Sequence, residues 1–98
     1  MNTRLALRDL EAAKANLSPG TLVQAHGEYE LWKGRDVITT ARCGEKRLKT
    51  NCWVVRHPAT DWETYWHGDK TQARNEQSAR YHFERKSGLV PLEPPPAP

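Results

Sequence analysis

With 98 residues, the chain is long enough for one small domain and too short for a multidomain enzyme. It carries 15 Lys and Arg against 12 Asp and Glu, a net charge of +3, which permits an anionic partner without requiring one. No window is long and apolar enough to cross a membrane, and the charged N-terminus lacks the apolar region of a secretory signal. We therefore expect a cytoplasmic protein without membrane association.

The first predicted element is a helix over residues 3–16, with Asn2 or Thr3 as its N-cap. Leucines recur near helical spacing, and the sequence Ser-Pro-Gly at residues 18–20 ends the pattern. A short strand is predicted at residues 22–25. Two further strand-like runs follow, joined by a turn at residues 33–36.

The next segment is the most basic part of the chain and is predicted to be a loop, with a turn at Gly44. Its cations are Arg42, Lys46, Arg47 and Lys49.

A second hairpin is predicted from residues 52–56 and 61–66, with its turn at residues 57–60. Polar residues alternate strictly with Trp and Thr along the second strand. This pattern places Trp62, Thr64 and Trp66 on the predicted core side.

The last predicted helix begins near Asp69, which with Gln72 forms a capping-box-like pair, and ends at Ser87 and Gly88. Residues 89–98 are proline-rich and are expected to be a disordered tail. The sequence thus predicts one α+β domain over residues 1–88. It consists of an N-terminal helix, a three- to four-stranded antiparallel sheet and a C-terminal helix packed on that sheet.

The last helix offers little apolar surface. A helical projection gathers a thin seam of Ala73, Ala79 and Phe83 on one side. The other side carries a basic, hydrogen-bonding stripe made of Lys70, Arg74, Gln77, Ser78, Tyr81 and Arg85. Such a stripe suits contact with phosphates or with an acidic surface, although an ordinary solvated helix face has the same composition.

Four tryptophans are unusual for a chain of this length. Because isoleucine and phenylalanine are scarce, we expect Trp53, Trp62 and Trp66 to fill the core. Trp32 shares its strand face with acidic residues, so it is the candidate for a partner contact.

Catalytic and metal chemistry have weaker support. General acid–base catalysis would use the polar face of the second hairpin, which carries Asp61, Glu63, Tyr65 and His67. The solvent-exposed side of any amphipathic strand has the same composition, however. Cys43, Cys52, His57 and His67 lack the close pairs that structural zinc sites use. We expect no enzyme, no metal and no cofactor. The two cysteines are expected to be free, partly buried thiols, with a disulfide as the alternative.

The sequence favours a small non-enzymatic binding module, a protein-interaction regulator or inhibitor that contacts an acidic or mixed surface. The alternative is a nucleic-acid-binding module that contacts phosphates through the last helix and the basic loop. A homodimer seam at an exposed sheet edge is a further alternative. The candidate contact residues are Trp32, Arg42, Lys46, Arg47, Lys49, Lys70, Arg74, Tyr81 and Arg85.

Overall fold

The computed structural model describes residues 2–67 and 71–90. Its elements in chain order are β1 (Asn2–Leu5), α1 (Leu7–Ala15), β2 (Thr21–His26), β3 (Tyr29–Thr40), β4 (Lys46–His57), β5 (Trp62–Trp66) and α2 (Gln72–Lys86). The strands form one antiparallel sheet in the order β1-β4-β3-β2, and β5 pairs with β4. The predicted α+β class, with its C-terminal helix on the sheet, is confirmed. Neither described helix is long and apolar enough to span a membrane.

The N-terminal segment departs from the predicted helix. Asn2–Leu5 form β1, which pairs with residues 46–49 of β4 and adds a strand to the four that follow α1. Ala6 precedes α1 and makes no side-chain cap hydrogen bond, so the predicted caps at Asn2 and Thr3 are wrong. The ladder with β4 satisfies backbone groups in regular pairs, which one more turn at an uncapped helix end would not do.

The turn predicted at residues 33–36 is also wrong, because these residues lie inside the unbroken strand β3. The register between β3 and β4 shifts here, and Gly34 and Asn51 on the two strands have positive φ, +70° and +59°. A bulge of this kind bends a strand without ending it. The hairpin turn lies instead at Gly27 and Glu28, where Gly27 has φ +58°, as a two-residue hairpin loop requires.

The basic segment is mostly strand rather than loop. Lys46, Arg47 and Lys49 lie in the first half of β4, and Arg42 lies in the turn between β3 and β4. Gly44 adopts φ +86° in that turn, as predicted.

The second predicted hairpin is confirmed. The second half of β4 pairs with β5, from Trp53 opposite Trp66 to His57 opposite Trp62. The alternation along β5 therefore places the tryptophans on one face of the sheet and Tyr65 on the other.

Helix α2 ends where it was predicted, with Ser87 as its C-cap. Its N-cap is Thr71, whose hydroxyl accepts a hydrogen bond from the Arg74 backbone N–H at 3.3 Å. The predicted cap, Asp69, lies outside the described residues, as does the predicted tail from residue 91 onward.

The main core lies between α2 and one face of the sheet, here called the helix-covered face. Its buried members are Leu31, Trp53, Val55, Ala79 and Phe83. Of the predicted seam of α2, Ala79 and Phe83 are buried, whereas Ala73 is exposed and Asn75 is buried in its place. Tryptophan fills this core as predicted at Trp53, which is 7% exposed.

The opposite side of the sheet is here called the open face. It carries a smaller buried cluster of Val37, Cys52 and Val54, against which Trp32 and Tyr65 pack. Both cysteines are free, Cys43 exposed and Cys52 buried. Burial, with a smaller effect from Asp36, raises the pKa of the Cys52 thiol to about 11, so this thiol is not an available nucleophile.

Candidate partner-binding site

One end of the sheet brings together aromatic side chains from three strands and from α2. Tyr29 follows the β2–β3 turn, and the β4–β5 turn joins His57 to Trp62. The ring of Tyr29 lies edge-on to both, 4.9 Å from His57 and 6.3 Å from Trp62. Trp62 in turn stacks on His82 of α2, with the ring centroids 6.2 Å apart. Aromatic contacts thus join the end of α2 directly to β5, and Tyr29 of β3 reaches this cluster through His57 and Trp62.

Two cations lie over aromatic rings in this region, one over Trp62 and one over Tyr81. The Lys86 Nζ is 4.9 Å from the centroid of Trp62, and the Arg85 Cζ is 3.5 Å from the centroid of Tyr81. The Arg85 guanidinium also donates to the Tyr81 carbonyl at 3.4 Å. Both rings are open to solvent, Trp62 being 39% and Tyr81 60% exposed. Cation–π contacts hold the two positive charges in fixed positions at the surface.

These side chains line a groove of about 420 Å³ formed by Tyr29, Tyr81, His82, Arg85 and Lys86. A second hollow of about 290 Å³ shares Tyr29 and Lys86 and adds His57, Thr60 and Trp62. We call the two together the basic aromatic groove. Its size suits one or two side chains of a partner rather than a large cofactor.

The charges of Arg85 and Lys86 are not paired within the described part of the chain, although the Glu28 carboxylate lies 3.5 Å from His57 at the edge of the groove. Arg85 and Lys86 form no ion pair among the described residues, whereas Arg80 on the same helix pairs with Glu76 at 2.7 Å. Arg35 and Arg56 on the sheet also pair with carboxylates. The two cations of the groove are therefore available to an outside anion.

The two histidines of the groove differ in their surroundings. His57 contacts the Thr60 hydroxyl at 2.9 Å through Nδ1, and its Nε2 lies 3.5 Å from the Glu28 carboxylate. His82 has a buried Nε2 that finds no hydrogen-bond partner among residues 2–67 and 71–90. Burial and, secondarily, the positive charge of Lys86 lower the pKa of His82. His82 is therefore neutral near pH 7 and acts as an aromatic wall of the groove.

A larger cavity of about 580 Å³ lies at the other end of α2. Its charged lining residues, Lys33 and Glu76, are of opposite sign. This cavity therefore does not favour one charge in a ligand, and the basic aromatic groove is the better candidate.

The predicted contact residues do not form one surface. Tyr81 and Arg85 lie in the groove, whereas Arg74 is eleven residues earlier on α2, about 16 Å along the helix axis. Trp32 lies on the open face, where its Nε1 donates to Glu30 at 3.1 Å. Lys70 lies outside the described residues.

The remaining predicted cations lie on β4 and in the turn before it. Lys46 donates to the Thr40 hydroxyl at 2.6 Å, Arg47 pairs with Glu45 at 3.0 Å, and Lys49 lies over the ring of Tyr65 at 5.5 Å. Arg42 is exposed in the turn. The structure does not bring this group to the groove.

Sequence reasoning missed six of the groove residues. They are Tyr29, His57, Thr60, Trp62, His82 and Lys86. The signal for part of this set was present, because His82 and Lys86 are one helical turn apart and lie on the same side of α2 as Arg85. No local sequence pattern indicated that residues of the two hairpins would also line the groove.

Two of the residues considered for catalysis, Asp61 and Glu63, lie beside an arginine. The Arg56 guanidinium pairs with Asp61 and lies 3.7 Å from Glu63. The described residues contain no group of three or more His, Cys, Asp or Glu that could hold a metal ion.

Comparisons with protein-family models, with curated proteins and with solved structures found no match to this chain.

Proposed function

We propose that the protein is a non-enzymatic binding module that recognises an acidic segment of a partner protein through the basic aromatic groove. The observation that carries this proposal is the pair of cations, Lys86 on Trp62 and Arg85 on Tyr81, that lack a carboxylate partner in the described residues. Trp, Tyr and Arg are the residue types that dominate the energy of protein interfaces.

The chemistry of the groove favours carboxylates. A carboxylate can form two hydrogen bonds with the Arg85 guanidinium and a charge contact with the Lys86 ammonium. The rings beneath these cations are already ordered, so less side-chain entropy is lost when an anion binds. The apolar parts of Tyr29 and Trp62 can pack against the neighbouring residues of the segment.

Nucleic-acid binding has less support from the same geometry. Base stacking needs a free ring face, but Trp62 already contacts both Lys86 and His82, and Tyr81 lies against Arg85. A phosphate track also needs several cations in a row, whereas the cations of β4 have local partners and Arg74 is distant. Phosphate binding is therefore kept as an outcome of the test.

The test is a fluorescence anisotropy titration with three labelled probes. These are a glutamate-rich peptide, the same peptide with glutamine at each glutamate, and single-stranded DNA of matching charge. We expect saturable binding of the acidic peptide, weaker binding of its glutamine form, and the weakest binding of DNA at near-physiological salt. Lys86→Gln and Arg85→Gln should each weaken binding of the acidic peptide about tenfold.

Arg74→Gln is the matched control, because it removes the same charge from an exposed position of the same helix. It should leave the affinity within about twofold of the parent, since net charge alone has a weak effect. Equal losses in all three variants, or tighter binding of DNA than of the acidic peptide, would show that the groove is not an acidic-peptide site.

A further inference from the structure

The chain leaves α2 beside the basic aromatic groove. Four of the five residues that line its larger hollow belong to the last six residues of α2. Gly88 then has φ +83°, and the Val90 N–H donates to the Glu84 carbonyl at 3.0 Å. A continuing helix would bond Val90 to Lys86, so the bond to Glu84 holds the chain back against the last turn of α2.

The sequence that follows has the composition that the groove fits. Residues 91–98, PLEPPPAP, contain five prolines and one charged residue, Glu93. Sequences rich in proline favour the polyproline II helix, which binds in aromatic-lined grooves at a low cost in entropy. The groove offers aromatic rings and two cations without a carboxylate partner in the described residues. The same eight residues therefore carry both the apolar rings and the anion that this surface can bind.

The distances allow this segment to reach the groove of its own chain. From Tyr81 to Ser87, six residues of α2 span about 9 Å along the helix axis. A polyproline II chain advances about 3.1 Å per residue, so the three residues from Val90 to Glu93 also span about 9 Å. A segment that runs back along α2 can thus place Glu93 at the cations and the later prolines over the hollows.

We infer that residues 91–98 occupy the basic aromatic groove of their own chain, with the Glu93 carboxylate at Arg85 and Lys86. Tethering favours this occupant over a proline-rich segment of another protein, because a short linker gives an effective concentration in the millimolar range. The inference rests on the proposed function, since the segment then competes with an acidic partner for the same groove. Its occupancy lowers the apparent affinity for the partner by the fraction of chains whose groove is filled.

Proton NMR contacts (NOEs) in the isotope-labelled full chain test the inference without any peptide. We expect contacts between proline ring protons of residues 91–98 and the rings of Trp62 or Tyr81. Glu93→Gln should weaken these contacts and shift the indole N–H signal of Trp62. Glu11→Gln is the matched control, because it makes the same change at an exposed residue of α1, and it should leave both unchanged. The absence of contacts between these prolines and the groove rings would overturn the inference.

A dilution series separates a segment bound to its own chain from one bound to a second copy. The Trp62 signal should stay in place from about 50 µM to about 1 mM, a range in which weak association would be seen. A signal that moves with concentration would place the segment in the groove of another copy and would overturn the inference.

The glutamate-rich peptide then measures the competition. Glu93→Gln should bind this peptide about fivefold more tightly than the wild type, as expected if the segment fills about four grooves in five. Equal affinities of the two proteins would overturn the inference and leave the acidic-peptide site standing. Proline contacts with no peptide binding by either protein would instead overturn the proposed function and leave the segment in the groove.

Discussion

The two faces of the sheet bury apolar side chains to the same degree by different means. Val54 and Val55 are neighbours on β4, and both are 0% exposed. Val55 packs under Phe83 and Ala79 of α2, whereas Val54 lies on the open face beneath Trp32 and Tyr65. A small chain can therefore close one face of a sheet with a helix and the other with side chains of the sheet itself.

Trp32 and Tyr65, which we call the cover of the open face, lie beside a network of ion pairs. Arg56 forms ion pairs with Asp61, Glu63 and Glu30. Arg35 pairs with Glu63 at 3.6 Å. The aliphatic stems of such residues cover apolar surface while their charged ends stay near water. This cover is made of long side chains, so it can move more easily than a helix whose backbone is hydrogen-bonded.

The largest expected effect that separates the two faces comes from truncating each valine. Val55→Ala leaves a cavity beneath a helix and should cost about 2–3 kcal/mol of unfolding free energy. Val54→Ala removes the same atoms, but Trp32 and Tyr65 can settle into the space, so we expect about 1–2 kcal/mol. Urea unfolding of the two variants measures the difference.

The slope of the unfolding free energy against urea should be the same in both variants, which keeps the comparison free of changes in the unfolded state. A cost for Val54→Ala equal to or greater than that for Val55→Ala would mean that the open face is as rigid as the helix-covered face.

Local patterns predicted β5 and α2 correctly because their signals lie within their own residues. The strict alternation around Trp62 and Trp66 defines a strand, and the apolar seam at Ala79 and Phe83 defines the buried side of a helix. Strand β1 could not be predicted in this way. Its stability depends on pairing with residues 46–49, which are distant in sequence.

The turn predicted at residues 33–36, where β3 has a bulge, was wrong for a related reason. A Gly between charged residues is typical of a turn, and Gly34 has the positive φ that a turn would need. Whether the chain reverses or only bends depends on the neighbouring strand, where Asn51 also adopts a positive φ. The pairing of β3 with β4 cannot be read from the local sequence around Gly34.

The candidate site was predicted in part. Tyr81 and Arg85 were identified because a helical projection shows them exposed. Trp62 was assigned to the core because it shares a face with Trp66, but it lies at the end of the sheet and is 39% exposed. Its position beside Lys86 follows from how α2 packs on the sheet, which periodicity does not reveal.

A smaller effect should come from the charges that hold the cover of the open face. Glu63→Gln removes the carboxylate that Arg35 and Arg56 share, while Arg56 keeps Asp61 and Glu30. We expect a loss of about 1 kcal/mol at low salt, because these groups are only half-buried, and a smaller loss at about 1 M salt, where charges are screened. Thermal or urea unfolding at the two salt concentrations measures it.

Glu11→Gln is the matched control, because Glu11 forms a single pair with Lys14 at 3.6 Å on the exposed surface of α1. Its effect should be close to zero at both salt concentrations. A loss for Glu63→Gln that does not change with salt would indicate that the carboxylate acts by packing and not by charge.

The smallest expected effect lies on the helix-covered side, at His82. Burial and the nearby Lys86 lower the pKa of His82 below its usual 6.5, so the unfolded chain binds a proton more readily than the folded one. This contribution to stability is complete above about pH 6.5 and is lost as the pH falls toward the lowered pKa. Between pH 7.5 and pH 5.5, the melting temperature of the wild type should therefore fall more than that of His82→Gln. His26→Gln, at an exposed position, is the control, and its melting temperature should depend on pH as that of the wild type does. An equal fall of the melting temperature in all three proteins would mean that the folded state does not exclude the proton from His82.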